Sequence, residues 1–101
     1  MKNGYKVFWT DYALDELAQT IKYIEKNWTE KEIKNFSLKL EETIGFIAQN
    51  PYFFQTSDFK KEIRRAIILN HNTLYYRIMN NSVEVISLFS HRQDPKKRKL
   101  K

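Results

Sequence analysis

Residues 62–90 hold three strand-like runs, which limit the folds open to this chain more than any other feature. The runs read EIRRAIILN, TLYYRIM and SVEVISLFS, and the dipeptides His71-Asn72 and Asn80-Asn81 separate them. Asparagine tolerates the positive φ that two-residue hairpin turns require. The pattern therefore predicts a meander of three antiparallel strands.

The residues before the meander predict one strand and two helices. Residues 5–10, YKVFWT, are typical of a strand, and Thr10 is a suitable N-cap for the following helix. The stretch TEKE, residues 29–32, is a capping box that opens a second helix, which Asn50-Pro51 ends. The predicted apolar stripes are Leu14, Leu17, Ile21, Ile24 and Trp28, then Ile33, Phe36, Leu40, Ile44 and Ile47. The order β-α-α-β-β-β predicts an α+β domain: an antiparallel sheet with an α-helical hairpin packed on one face.

Two-residue turns would assign each meander residue to one face of the sheet. The face under the helices would hold Ile63, Arg65, Ile67, Leu69, Leu74, Tyr76, Ile78, Val83, Val85 and Phe89. The open face would hold Arg64, Ala66, Ile68, Thr73, Tyr75, Arg77, Met79, Glu84, Ile86, Leu88 and Ser90. Arg65 fits the apolar face poorly, so we expect it to reach the rim or a β-bulge to shift the register.

The open face mixes charged residues with large apolar side chains. Its expected exposed residues Ile68, Tyr75, Ile86 and Leu88 predict a partner-binding surface. Arg77 is expected opposite Glu84, where a modest cross-strand ion pair is the alternative to a binding role. For Arg64 and Arg65, the alternative is a solvated basic edge shared with Lys60 and Lys61.

Composition excludes several kinds of site. Among 101 residues there is no cysteine and there are two histidines, so disulfides and thiol nucleophiles are absent and metal-ligand spacing is not found. We expect no cofactor. The first residues, MKNGYKVFW, lead into the predicted strand without an apolar signal region, and no run of about 18 apolar residues occurs. These features predict a cytoplasmic protein that does not enter a membrane.

The positive charge is concentrated at the C-terminus. Of the net charge of +6, residues 95–101, PKKRKLK, contribute +5 from five basic residues and no acid, so residues 1–94 carry +1. We therefore expect a single domain over residues 1–94 and a basic tail over residues 95–101. The tail can hold phosphates through counterion release, or it is a solvated terminus.

His91 and Arg92 follow the last predicted strand in the stretch SLFSHRQD. Histidine suits proton transfer near neutral pH, and arginine suits phosphate binding. The alternative is a strand end with two solvated side chains. These residues alone do not separate the two readings.

Taken together, the stretches resemble the RelE/ParE superfamily of toxins from bacterial type II toxin–antitoxin modules. The resemblance covers nearly the whole chain and rests on WTDYALDELAQTIKYI, FIAQNP, RR, LYYRI, VEVISLF and SHRQDP in that order. It implies a cognate antitoxin, whose amphipathic helix would bind a groove with acidic residues near the arginines, and either a homodimer or a toxin–antitoxin hetero-oligomer. It also implies one of two targets. RelE-like members cut mRNA in the ribosome, and ParE-like members poison DNA gyrase.

The match to the nuclease pattern is incomplete. Arg64 or Arg65 matches a second-strand arginine, but about Asn72 or Thr73 stands where YoeB-like nucleases carry another arginine at the start of the third strand. No tyrosine follows Tyr76, and His91 matches a terminal base only in a shifted alignment. The stretch LYYRI…VEVISLFSHR is closer to the ParE-like pattern, which favours a gyrase poison.

Three hypotheses follow, and each gives different roles to the same residues. A gyrase poison would use as contacts Arg64, Arg77, His91, Arg92 and the tail; an mRNA endonuclease would use as catalytic groups Arg64, Arg65, Arg77 and His91. The third hypothesis is an inactive family member that only binds. In all three, antitoxin residues would cover the surface of Ile68, Tyr75 and Ile86.

Overall fold

The computed structural model describes residues 4–58, 60–69 and 72–90. Within these ranges the predicted α+β order is confirmed. The elements are β1 (Lys6–Trp9), α1 (Asp11–Asn27), α2 (Glu30–Gln49), β2 (Ile63–Ile68), β3 (Asn72–Met79) and β4 (Ser82–Ser90). Both helices pack against one face of a four-stranded sheet, and the second face is open.

Both helices begin where the sequence predicts. The Thr10 hydroxyl accepts a hydrogen bond from the Ala13 amide at 3.1 Å and caps α1. At α2 the Thr29 hydroxyl accepts from the Glu32 amide at 3.3 Å, and the Glu32 carboxylate accepts from the Thr29 amide at 3.2 Å. This reciprocal capping box satisfies two amides at a two-residue link, which brings the helices side by side.

The sheet order is β1-β4-β3-β2. The meander is antiparallel, as predicted, whereas β1 joins β4 in parallel and makes the sheet mixed. The prediction of an antiparallel sheet thus holds for β2 to β4 and not for β1. The two helices between β1 and the meander form a long crossover connection, which a parallel pair of strands requires. Because β1 pairs with residues 82–85, the second half of β4 has no strand on that side among the described residues.

The connection from β2 to β3 is longer than the predicted turn. Ile68 pairs with Asn72, so residues 69–71 join the strands in place of a two-residue turn at His71-Asn72. His71 itself lies outside the described residues. Leu69 adopts a φ of 58°, an unfavourable value for a branched side chain that helps the chain reverse.

This change of register moves every β2 side chain to the face opposite to the predicted one, because side chains alternate along a strand. Ile68, predicted on the open face, is 0% exposed, and Ile67, predicted in the core, is 62% exposed. Arg64 lies on the helix side opposite Tyr76, and Arg65 lies on the open face. The four predicted positions are wrong for one reason, which is the length of this connection.

The turn from β3 to β4 follows the prediction, with Asn80 at a φ of 43° and Arg77 opposite Glu84. A β-bulge then interrupts the ladder. Tyr76 pairs with Val85 and Tyr75 with Ser87, so Ile86 is the extra residue.

The bulge reverses the alternation of the residues after it. Leu88, predicted on the open face, is 1% exposed in the core, and Phe89, predicted in the core, is 41% exposed. The extra residue therefore explains why both of these predictions are wrong.

The core lies between the helices and the sheet. In α2 the predicted stripe is confirmed. In α1 the predicted Leu17, Ile21 and Ile24 do pack in the core, together with Ala13, whereas Leu14 and Trp28 at the two ends of the predicted stripe are exposed. The buried apolar residues are Ala13, Ile24, Phe36, Ile47, Ala66, Ile68, Leu74, Tyr76, Val83, Val85 and Leu88.

Candidate functional surface

The open face of the sheet combines apolar side chains with charged ones. By their register, Phe8 on β1, Ile67 on β2, Met79 on β3 and Phe89 on β4 belong to this face, and all four are exposed. The predicted binding residue Tyr75 lies among them and is half-buried. Large apolar side chains exposed on one sheet face are typical of a protein-binding surface.

The charged pair on this face is Arg77 with Glu84. The guanidinium Nε lies 2.8 Å from the carboxylate Oε1, and the side chains are 47% and 27% exposed. A pair this exposed contributes at most about 1 kcal/mol to stability. Its main consequence is local, because Glu84 offsets the charge that Arg77 would present to a phosphate.

Arg64 does not share this surface. On the helix side of the sheet, its Nη1 donates to the carbonyl of Phe54 at 2.6 Å and to that of Tyr52 at 3.4 Å. Its guanidinium carbon also lies 5.3 Å from the centre of the Tyr52 ring. Arg64 therefore holds the loop that follows α2 against the edge of the sheet.

Arg65 points away from Arg64 and lies on the open face opposite Tyr75. Its side chain is half-buried, and its backbone amide donates to the carbonyl of Gln55 at 3.1 Å. Of the three arginines predicted as catalytic candidates, Arg65 and Arg77 share a face and Arg64 is on the other. They do not form one phosphate site.

The loop held by Arg64 is part of an aromatic cluster. Phe54 makes edge-to-face contacts with Phe53, Phe46 and Tyr76 at ring-centre distances of 5.1, 5.8 and 6.5 Å. The Tyr76 hydroxyl donates to the Pro51 carbonyl at 2.7 Å. Burial raises the pKa of Tyr76 to about 12, although the charge of Arg64 opposes the shift. Tyr76 is thus a protonated donor that anchors the loop.

A groove lies where α1 approaches the bulged end of β4. It has a volume of about 330 Å³, and we call it the α1–β4 groove. Its lining consists of Tyr12, Glu16, Tyr75, Ile86, Ser87 and Phe89. The predicted binding residues Tyr75 and Ile86 meet here, whereas Ile68 is in the core and is not part of any described surface.

Glu16 joins α1 to β4 at this groove. Its Oε1 accepts from the Ser87 hydroxyl at 2.6 Å and from the Leu88 amide at 2.8 Å. The carboxylate thereby satisfies an amide on the part of β4 that β1 does not reach. The charge of Glu16 raises the pKa of Tyr12, and so do burial, a hydrogen bond to Glu16 and the charge of Asp15.

Sequence reasoning missed Tyr12, Glu16 and Ser87 as surface-forming residues. One available signal is that the apolar alternation changes phase between Val85 and Leu88, which indicates a bulge. The strand lengths add a structural reason. A four-residue β1 beside a nine-residue β4 leaves backbone groups that another element must satisfy.

Other predicted site residues fall where the structure gives no test. His91, Arg92 and the tail of residues 95–101 lie outside the described residues. Within the described ranges, no cluster of three or more acidic or histidine side chains is arranged to hold a metal ion. No helix in those ranges is long and apolar enough to cross a membrane.

Residues 7–95 match the family model described as the ParE toxin of the type II toxin–antitoxin system parDE. The chain belongs to this toxin family. Membership implies a cognate antitoxin as the partner of the toxin. None of the curated proteins compared with the chain matches it significantly.

Solved structures share the toxin's fold at low sequence identity. The chromosomal ParDE toxin–antitoxin system of P. aeruginosa matches with a TM-score of 0.71 and 11% identity, over 85% of this chain and 95% of that one. A YoeB/ParE toxin from Agrobacterium tumefaciens matches at 0.62 and 16%, over 85% and 98%. The YoeB dimer from Staphylococcus aureus matches at 0.60 and 17%, over 88% and 99%.

Proposed function

We propose that this toxin acts as ParE-like toxins do: it binds DNA gyrase, stabilises the complex in which gyrase has cleaved DNA, and so arrests growth. The cognate antitoxin prevents this binding. The proposed mechanism needs a contact surface and no catalytic group of the toxin.

The separation of the arginines carries this proposal. Cleavage of RNA by proton transfer needs a base, an acid and cations that converge on one phosphate. Arg64 is held by the loop carbonyls on the helix side, and Arg77 is paired with Glu84 on the open face. This arrangement favours binding over catalysis, and the match to the ParE family model supports the same choice.

The open face and the α1–β4 groove are the proposed contact surfaces. Tyr75, Arg77 and Ile86 are retained as candidates because they are partly exposed there. Arg65 joins them, since the observed register brings it to this face. His91 and Arg92 remain proposed contacts that follow directly from β4. The antitoxin is proposed to cover the open face, with acidic side chains close to Arg65 and Arg77.

Pulse labelling after induction in bacteria tests the target. We expect incorporation of labelled thymidine to fall before that of methionine, and purified toxin with gyrase and supercoiled plasmid to yield linear DNA after protease treatment. If methionine incorporation falls first and plasmid remains intact, the gyrase proposal is wrong. If folded, expressed protein causes no arrest, the protein is a binding-only member of its family.

Two structural neighbours carry the name YoeB, which gives the second candidate, a ribosome-dependent mRNA endonuclease. In that case His91 would transfer the proton, and Arg65 and Arg77 would hold the phosphate. Mapping of mRNA ends after induction tests it: cleavage by the wild type that is lost in His91→Ala supports this candidate. The dimeric neighbour also suggests a homodimer, which light scattering on the purified chain would detect.

A further inference from the structure

We propose that the α1–β4 groove binds the chain's own C-terminal segment, residues 91–101. The groove has a mixed lining that suits a peptide. Tyr75, Ile86 and Phe89 supply apolar and aromatic surface, and Glu16 and Ser87 supply polar atoms. The groove exists because β1 ends opposite Val85 and α1 stands beyond it, next to the bulge.

The wall formed by α1 is negatively charged. Asp11, Asp15 and Glu16 lie in the first two turns of the helix, and its first basic residue is Lys22. The charges of Glu16 and Asp15 both act on the Tyr12 phenol at the groove. This wall would repel an acidic peptide and attract a basic one.

The segment after β4 has the complementary charge. Residues 91–101 contain six arginine and lysine residues against one aspartate, and Leu100 is their single aliphatic side chain. The segment starts two residues after Phe89, which lines the groove. Fully extended, eleven residues span roughly 36 Å, compared with a largest dimension of 39 Å for the molecule.

Attachment to β4 also favours this occupant over a separate basic peptide. A ligand joined by a short linker has an effective concentration in the millimolar range, so weak ionic and apolar contacts suffice. A partner that uses the groove has to displace the segment. The apparent affinity of that partner is its intrinsic affinity multiplied by the fraction of chains in which the groove is free.

The absence of cysteine makes the test direct, because Lys101→Cys creates a unique site for a nitroxide spin label. Amide signals of Tyr12, Glu16 and Ile86 are expected to lose intensity in the labelled full chain. The loss should disappear in Asp15→Asn/Glu16→Gln, in which the glutamine oxygen can still accept from Ser87 and Leu88. It should also disappear at about 1 M salt, where the Debye length is about 3 Å.

A charge-matched control is Glu41→Gln/Glu42→Gln on α2, which should leave the intensity loss unchanged. Loss that persists in Asp15→Asn/Glu16→Gln, or no loss in the original labelled chain, overturns the proposal. In the purified protein, the alternative occupant of the groove is the C-terminal segment of a second copy of the chain. Spin-labelled chains mixed with isotope-labelled, unmodified chains identify it, because intensity loss in that mixture means that the segment binds between molecules and the intramolecular proposal is wrong.

Discussion

Replacing Arg64 with alanine should weaken the fold itself, because this side chain ties the loop after α2 to β2. The bond to the Phe54 carbonyl is 2.6 Å long and involves a charged donor; such bonds contribute about 1.5–3 kcal/mol. The contact with the Tyr52 ring adds about 0.5–1 kcal/mol, and the 3.4 Å contact with the Tyr52 carbonyl adds little. We expect Arg64→Ala to lower the free energy of unfolding by about 2–4 kcal/mol.

Urea unfolding followed by the fluorescence of Trp9 and Trp28 measures this change. For a domain of this size the same loss lowers Tm by roughly 8–32 °C. Arg64→Lys keeps the charge but not the planar, ring-stacking group, so it should cost about 1–2 kcal/mol. Arg65→Ala is the matched control: the neighbouring arginine lies on the open face, and its loss should cost less than about 1 kcal/mol.

The reasoning is refuted if Arg64→Ala unfolds at the same urea concentration as the wild type, or if Arg65→Ala is the more damaging of the two. Equal slopes of the unfolding free energy against urea are required for the comparison, since a change in slope means that the native or unfolded ensemble has changed.

Three further predictions concern register, burial and helix propensity. Ile68→Ala should cost about 2–5 kcal/mol and Ile67→Ala less than about 0.5 kcal/mol in urea unfolding; the reverse order would favour the two-residue turn. The Tyr76 phenol stays protonated in the fold up to a pKa of about 12, whereas the unfolded one ionises near pH 10. In this range the unfolded state binds fewer protons than the folded state, so the free energy of unfolding falls between about pH 10 and 12. Tyr76→Phe should flatten that decline, and an unchanged dependence of the free energy of unfolding on pH would contradict this prediction. Gly45 is an exposed helical residue with open space at its Cβ position, so Gly45→Ala should raise the thermal midpoint and increase the free energy of unfolding by about 0.5–1 kcal/mol. Gly4→Ala should not stabilise the fold, because a Cβ at this position would lie 2.6 Å from the Gln49 side-chain nitrogen.

Local signals in the sequence were sufficient for the elements, because each depends on a few adjacent residues. Thr10 and the Thr29–Glu32 capping box locate the helix starts, and the Asn80-Asn81 turn fixes the pairing of Arg77 with Glu84. These features satisfy backbone groups within one turn of chain, so no distant contact is needed to predict them.

The register of β2 and the end of β4 could not be predicted in the same way. Residues 63–68 have isoleucine on both faces, so their pattern is compatible with either register, and packing against the helices decides it. On β4 the bulge leaves one residue unpaired and changes which of two adjacent apolar residues is buried. Both features depend on tertiary packing, and both lie in the region where the candidate site was predicted.

The observed register also changes how mutations of the arginines should be interpreted. Loss of toxicity in Arg64→Ala would not identify a target contact, because the same change releases the loop carbonyls of Tyr52 and Phe54 and lowers stability. Arg65 and Arg77 are more informative, since they lie on the open face and their removal leaves the core intact. A toxin that loses gyrase binding in Arg65→Ala/Arg77→Ala, while its unfolding free energy stays within about 1 kcal/mol of the wild type, has lost a contact. The distinction between a binding surface and a structural support therefore depends on this pair, together with Arg64 as the stability comparison.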